Sequence, residues 1–506
     1  MTRQSLSLLF VPVTVLALLA GCSSTTMQPS LSASGVPVSL SMTDDPPAGV
    51  SVLFFQVSLT GAALMPASGS AVSLLNNNMP IQIDVTQLQA LSAFLSTANV
   101  PQGTYNSVSL TFANPELVIY NASDSSIASS CAVGSVCQIA PAIDNSGTVS
   151  ITTSPFPVTV TANSSLGFLV DFHLNNVIQS DLSVNLGVSN GVTVAQLPPA
   201  PTPPQFGALS GTVQSVNAGQ NQFTLQTAWG RTFTIDSTTS TTYEDFPTNS
   251  CSTAGIGCLA DGQVVQVQVA SVGSGGVLTA AQVSYLQVAT QQTAEGTIIG
   301  LQNSSSGTTI KLILHDNPSN SVSLPLGGVA TVTVANNATY SVGANGFTLP
   351  SGLSFTGVAD LYKGQQIQVD VVAGSLSASN DDEFSGNWGP PQPLSFTTDS
   401  VTLEPSQVSG TISALDSSAQ SFTLGGNGGP FFIPWPMTMM MSSNAASFNV
   451  VTTTQTTYRR FSMDSYDGLG TGDYVSVSGW LFPPASSSGP PTLAAQTVVM
   501  RNNGMN

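Results

Sequence analysis

Charge is what this chain has least of. Asp, Glu, Lys and Arg together make up 6 % of its 506 residues, against about 25 % in ordinary soluble proteins. Basic residues are scarcest: seven in all, only two of them lysines, Lys311 and Lys363, against 25 acidic residues. With no basic stripe to displace counterions from phosphates, nucleic acid is excluded as a partner. Histidine occurs twice, as His173 and His315, far apart in the chain. Metal catalysis needs several converging imidazoles or carboxylates, so neither a metal nor a cofactor is expected. The Gly-x-Ser-x-Gly elbow of a serine nucleophile is missing too, and no catalytic residue is assigned. Cysteine is sparse, at five residues, with no Cys-x-x-Cys knuckle of the kind structural zinc sites favour. What the chain has instead is Ser, Thr, Asn, Gln and Gly, which must supply solubility from the exposed faces of strands.

The first 21 residues read as a secretory signal: Arg3, an apolar run from Leu6 to Leu19 broken by Pro12, and small residues before a cut site. That site, Leu19-Ala20-Gly21-Cys22, resembles the lipobox of bacterial lipoproteins. The resemblance implies cleavage before Cys22, lipid on its sulfur and an acylated amine, and so a membrane partner reached through lipid at Cys22. Ser23 stands where an inner-membrane retention signal would place Asp, which by analogy with diderm bacteria favours the outer membrane. Residues 22–34 are a Ser/Thr-rich tether.

A period-two pattern then takes over. Val36, Val38, Leu40 and Met42 share one face, as do Leu53, Phe55, Val57 and Leu59, which predicts half-buried strands. Thr86 opens an expected short helix on the spacing of Leu88, Leu91 and Leu95, and Asn190-Gly191 is expected to turn a hairpin of type I′. Residues 35–196 thus read as a β-sandwich-like domain with one short helix. Three pieces of this domain are Leu40-Ser41-Met42-Thr43-Asp44-Asp45-Pro46, Val100-Pro101-Gln102-Gly103-Thr104-Tyr105 and Leu169-Val170-Asp171-Phe172. Together they resemble a family of bacterial lipoproteins described only as a domain of unknown function, and they imply an extracytoplasmic β-sandwich without a reaction.

Residues 197–206 are proline-rich and predict a semi-rigid spacer. Beyond it a pattern recurs three times, opening on Gly211-Thr212-Val213, Gly296-Thr297-Ile298 and Gly410-Thr411-Ile412. Each unit then carries a Thr-Tyr pair and a Gly (Gly262, Gly364, Gly472) ahead of an alternating Val/Ile strand. Five alternating segments per unit predict a small β-barrel, so the whole chain is expected to be all-β. The units span 207–290, 291–405 and 406–502 and are expected to follow one another as beads in series. They resemble a second bacterial domain family of unknown function.

Cys131 with Cys137 and Cys251 with Cys258 lie in loop-like stretches of an exported chain, which predicts two local disulfides. Carboxylates gather at Asp381, Asp382 and Glu383 and at Asp464, Asp467 and Asp473; a calcium site is the alternative to solvated loop charge, but neither has EF-hand spacing. Phe431, Phe432, Trp435 and Met439 mark an apolar insertion, the candidate binding surface, with a thioether copper site as its alternative. Trp229, Trp388, Trp435 and Trp480 are the candidate sugar-stacking residues. The expectation is a non-catalytic envelope protein that binds or scaffolds other envelope proteins or glycans. The alternatives are a carbohydrate-binding surface protein and an envelope hydrolase.

Overall fold

A computed structural model describes residues 35–501, except 46–50, 76–79, 89, 122–125, 127–130, 163–165, 180, 198–205, 228–230, 248–250, 252–254, 289–291, 305–306, 317–323, 325, 345, 379–393, 427–446, 460–464 and 487–488. The described chain is all-β; its only α-helix is the single turn Leu174–Val177. Among the described residues no helix is long and apolar enough to cross a membrane.

The N-terminal module is two facing sheets. In the first, Val36–Asp45 lies between parallel Leu166–His173 and antiparallel Ala93–Val100, with Val192–Leu197 outside. Its alternating Val36, Val38, Leu40 and Met42 are all buried. The second sheet is built on the long antiparallel pair Ser51–Pro66 and Gly103–Tyr120. Phe172 joins the two, with its ring 6.0 Å from Phe55 and 5.6 Å from Phe112.

Two local expectations fail here. The residues from Thr86 form one 3-10 turn, Val85–Leu88, and then the strand Ala93–Val100. Asp84 Oδ1 accepts from the Thr86 amide and hydroxyl, tightening the turn. The strand pairs with Val36–Met42, so sheet pairing overrides the leucine spacing. Asn190 does take a positive φ of 57°, but the Gly191 amide donates back to Val188 O. This turn ends a longer connection, because Val192–Leu197 pairs with Leu166–His173.

Each repeat unit closes on itself. In the first, the strands are Ala208–Asn217, Gln222–Gln226, Thr232–Asp236, Gln263–Val272 and Leu278–Val288. Going round the barrel, hydrogen bonding runs first, second, third, fifth, fourth and back to first; only the third–fifth contact is parallel. The second unit repeats this order with Thr293–Ser304, Gly307–Asp316, Val329–Val342, Gln366–Asp370 and Leu394–Glu404. The third does so with Ser406–Asp416, Ser421–Gly426, Ser447–Val451, Tyr474–Phe482 and Thr492–Met500. This is the connectivity of a five-stranded Greek-key barrel of the OB type.

The recurring glycines have physical reasons. A Cβ on Gly211 or Gly296 would stand 2.4 or 2.2 Å from a carbonyl oxygen of the second strand, so only glycine lets the strands cross there. Gly262, Gly364 and Gly472 have φ of 84°, 87° and 98°, a region glycine enters freely. Their amides donate to the equivalent first-strand carbonyls of Val213, Ile298 and Ile412 at 2.8, 2.9 and 2.8 Å.

The expectation of beads in series is not met, because Gly35–Asn506 form one compact unit. Phe94, Leu169 and Leu197 of the N-terminal module share a core with Phe206 and Leu209. Phe54 and Val118, on its other sheet, pack on Ile299 and Ile313 of the second barrel. Trp480 of the third barrel sits 4.8 Å from the Phe347 ring of the second and donates Nε1–H to Gly343 O at 3.2 Å. The third barrel returns to the N-terminal module, where Gln407 Oε1 accepts from the Ala90 amide at 2.7 Å and Nε2 donates to Gln87 O. Faces with so few charges neither repel one another nor need to stay hydrated, which allows this folding back.

Candidate functional site

All four modules meet at one cavity of about 610 Å³. The N-terminal module supplies the turn from Gln87 to Ala93; the barrels supply the rest, among it outward residues of the fourth strands of the first two barrels and of the fifth strands of all three. The strand period explains the lining. In Gln263–Val272 the valines 265, 267 and 269 point into the barrel core and are buried, which turns Gln266 and Gln268 to the cavity. In Gln366–Asp370, Ile367 and Val369 go inward, and Gln366 and Gln368 line the cavity.

Nine glutamines line this space: two fasten modules together, two bond a glutamate of their own barrel, four have side-chain amides without a partner among the described residues, and Gln87 offers its backbone carbonyl to Gln407. Some hold the modules together: Gln407 as described, and Gln455, which accepts from the Thr348 amide at 2.7 Å and donates to Gly346 O at 3.1 Å. Gln366 donates to Glu295 at 2.6 Å, and Gln282 to Glu244 at 3.3 Å. By contrast, the half-buried side-chain amides of Gln266, Gln268, Gln368 and Gln496 have no partner among the described residues.

Three glutamates accompany them: Glu244, Glu295 and Glu404, one near the end of the first barrel's wall and two on the second. Burial pushes the Glu404 carboxyl well above its usual range, and the nearby charges of Glu295 and Asp245 push it further. Burial also raises Glu295, offset by its hydrogen bond from Gln366 and by His315. Glu244 is raised by burial and then by Asp245. These carboxyls are biased toward the neutral acid, which donates as well as accepts.

His315 sits at the rim, 4 % exposed. Nδ1 lies 2.8 Å from Asp84 Oδ2 and Nε2 lies 3.0 Å from Thr297 Oγ1. This hydroxyl–imidazole–carboxylate chain has the connectivity of a nucleophile relay. Thr297, however, is buried at 4 % and does not line the cavity, so the chain fastens the second barrel to the N-terminal module. His173 instead sits near Thr193 Oγ1, at 3.2 Å, in its own sheet.

The other sequence candidates fare differently. Both disulfides form, Cys131–Cys137 and Cys251–Cys258. Trp480 is fully buried in the core, which removes it as a sugar-stacking residue. Cys22, Phe431, Phe432, Trp435, Met439, Trp229, Trp388 and the acidic run at Asp381 lie outside the described residues. Among the described residues no group of three or more His, Cys, Asp or Glu is arranged to hold a metal ion.

Sequence reasoning missed the convergence of Glu244, Glu295, Glu404 and His315, because these four are scattered along the chain and its local acidic clusters lie elsewhere. The available signal was Val-Gln-Val-Gln at 265–268 and Gln-Ile-Gln-Val at 366–369, whose polar phase marks a shared face. Comparison with known domain families agrees with the two resemblances. Residues 36–188 match a domain of unknown function (DUF4382), and residues 210–284 match a second domain of unknown function (DUF5666). No curated protein matches the chain.

Proposed function

We propose that this chain is a lipid-anchored protein of the cell envelope, at the outer membrane, that binds a ligand without transforming it. Its ligand is an uncharged, hydroxyl-rich molecule of saccharide type, lodged in the cavity between the modules. The carrying observation is the lining: unengaged amides of Gln266, Gln268, Gln368 and Gln496 beside carboxyls biased toward neutrality, with Arg459 the one guanidinium among the described residues of the wall. An amide offers both donors and an acceptor, which suits a hydroxyl that does the same. A cation would instead call for ionised carboxylates, which burial here disfavours. The volume, about 610 Å³, is in the range of small-molecule sites. Support for the anchor is the Leu19-Ala20-Gly21-Cys22 motif; diacyl attachment would suffice for stable anchoring.

A glycan array probed with the purified chain, followed by calorimetric titration of retained glycans, tests this reading. Neutral oligosaccharides should be retained, and Gln266→Ala with Gln368→Ala should weaken binding about tenfold, from roughly 0.5–1.5 kcal/mol per hydrogen bond lost. Retention of none, or binding indifferent to both substitutions, would contradict it. Hydrolysis of the retained glycan, abolished by Glu404→Gln, would replace binding with catalysis.

A further inference from the structure

A second chamber, of about 240 Å³, lies where the N-terminal module meets the first two barrels. Ile81, Ile83, Phe94 and Leu95 of the N-terminal module and Leu209 and Phe233 of the first barrel, all buried, give it an apolar wall. Phe94 and Phe233 meet edge to face there, with ring centroids 5.9 Å apart. The charged side chains on the wall answer to the protein itself. Asp84 accepts from Thr86 and pairs with His315, and Arg231 donates Nη1–H to Leu95 O at 2.8 Å. The other Arg231 donors, Nε and Nη2, are sealed from the space. Left empty, a space of this size forfeits dispersion contacts all along its apolar side. A dry protein cavity of about 150 Å³ lined by Leu, Ile and Phe is already enough to take up benzene. The chamber also abuts the glutamine-lined cavity, since Gln87, Leu88, Ala93, Ala208, Ser210 and His315 line both. Leu91, 38 % exposed, carries apolar surface from that shared border into the cavity.

We propose that this chamber is a binding site for a small apolar group of benzene size, carried by the same ligand whose hydroxyl-rich part lies among the glutamines. The ligand is then an aryl or short-alkyl glycoside rather than a bare sugar. Burial of its hydrocarbon part supplies affinity, and a ring there packs against the Phe94 and Phe233 pair. The glutamine amides fix its orientation, the division of labour usual in small-molecule sites. The glycoside half of this proposal rests on the saccharide reading; the chamber's affinity for an apolar group does not.

Thermal unfolding of the full chain with benzene, followed by calorimetric titration with phenyl and methyl β-glucoside, tests the proposal. Benzene should raise the melting temperature progressively, because a ligand bound only to the folded state stabilises it. Leu209→Phe should remove that rise by filling the chamber with a ring of its own; Leu95→Phe does the same if the first variant does not fold. Neither residue lines the glutamine-lined cavity. Phenyl β-glucoside should bind about tenfold more tightly than the methyl glucoside. Leu209→Phe should erase that difference and spare the methyl affinity. No rise with benzene, or a rise undiminished in both variants, overturns the chamber. A benzene response with equal binding of the two glucosides overturns the amphipathic ligand. A benzene response with no binding of either glucoside counts against the saccharide reading and the glycoside half that rests on it, while the chamber stands.

Discussion

At the scale of single residues, the governing fact is that buried polarity here is mostly neutral. Glutamine does work that ion pairs do in more charged proteins: Gln138 donates to Gly327 O at 2.7 Å and Gln365 to Leu481 O at 2.9 Å, each across a module boundary. Removing such a clamp strands backbone groups away from water. Gln407→Ala should therefore cost about 1–3 kcal/mol, read as a lowered denaturant midpoint. The few buried acids give a pH signature. Burial, and then the neighbouring acids, push the Glu404 carboxyl well above the usual carboxylate range. A raised folded pKa means the protein binds the proton more tightly folded than unfolded. Its stabilising contribution is whole below the unfolded pKa and is lost as pH rises through the folded value. The melting temperature should thus fall as pH climbs above about 4.5, and Glu404→Gln should flatten that fall. A wild-type profile that rises over this interval would contradict the assignment. None of this was legible from Glu404 itself, a lone acid at a strand end; the acids that push it up, Glu295 and Asp245, lie far back in the chain.

At the scale of elements, alternation was the readable signal. Val36–Asp45 and the fourth strands of the barrels bury the face their sequence marks, and the glycine motifs fall where the backbone crosses or turns. The leucines at 88, 91 and 95 misled because three apolar residues at helical spacing also fit a turn followed by a strand. Pairing with Val36–Met42 decides between them, and that partner is not local. Gly296→Ala tests the reason given for the opening motif. Its Cβ would press on Ile313 O at 2.2 Å, and the strain should cost about 1–3 kcal/mol in chemical denaturation. A neutral outcome would mean that the crossing has slack. In the sandwich, Phe172→Ala should cost about 3–5 kcal/mol, since that ring touches both Phe55 and Phe112.

At the scale of the whole molecule, proline-rich residues 197–206 suggested a spacer, yet the modules on either side share a core through Leu197, Phe206 and Leu209. Sequence shows which faces are polar but not which faces meet; that depends on contacts such as Phe54 with Ile313 and Trp480 with Phe347. The cavity exists only because the third barrel returns to the first module. Attachment is a separate matter: Cys22→Ser should release the protein from membranes, as read by fractionation, and undiminished membrane association would count against the anchor. The central claim, a saccharide-type ligand held between modules, is tested most directly by hydrogen–deuterium exchange with and without a neutral oligosaccharide retained on the array. The account predicts slowed exchange concentrated in residues 87–93, Gln263–Val272 and Gln366–Asp370. Slowing confined to outer surfaces, or unchanged exchange in all three segments at saturating ligand, would contradict it.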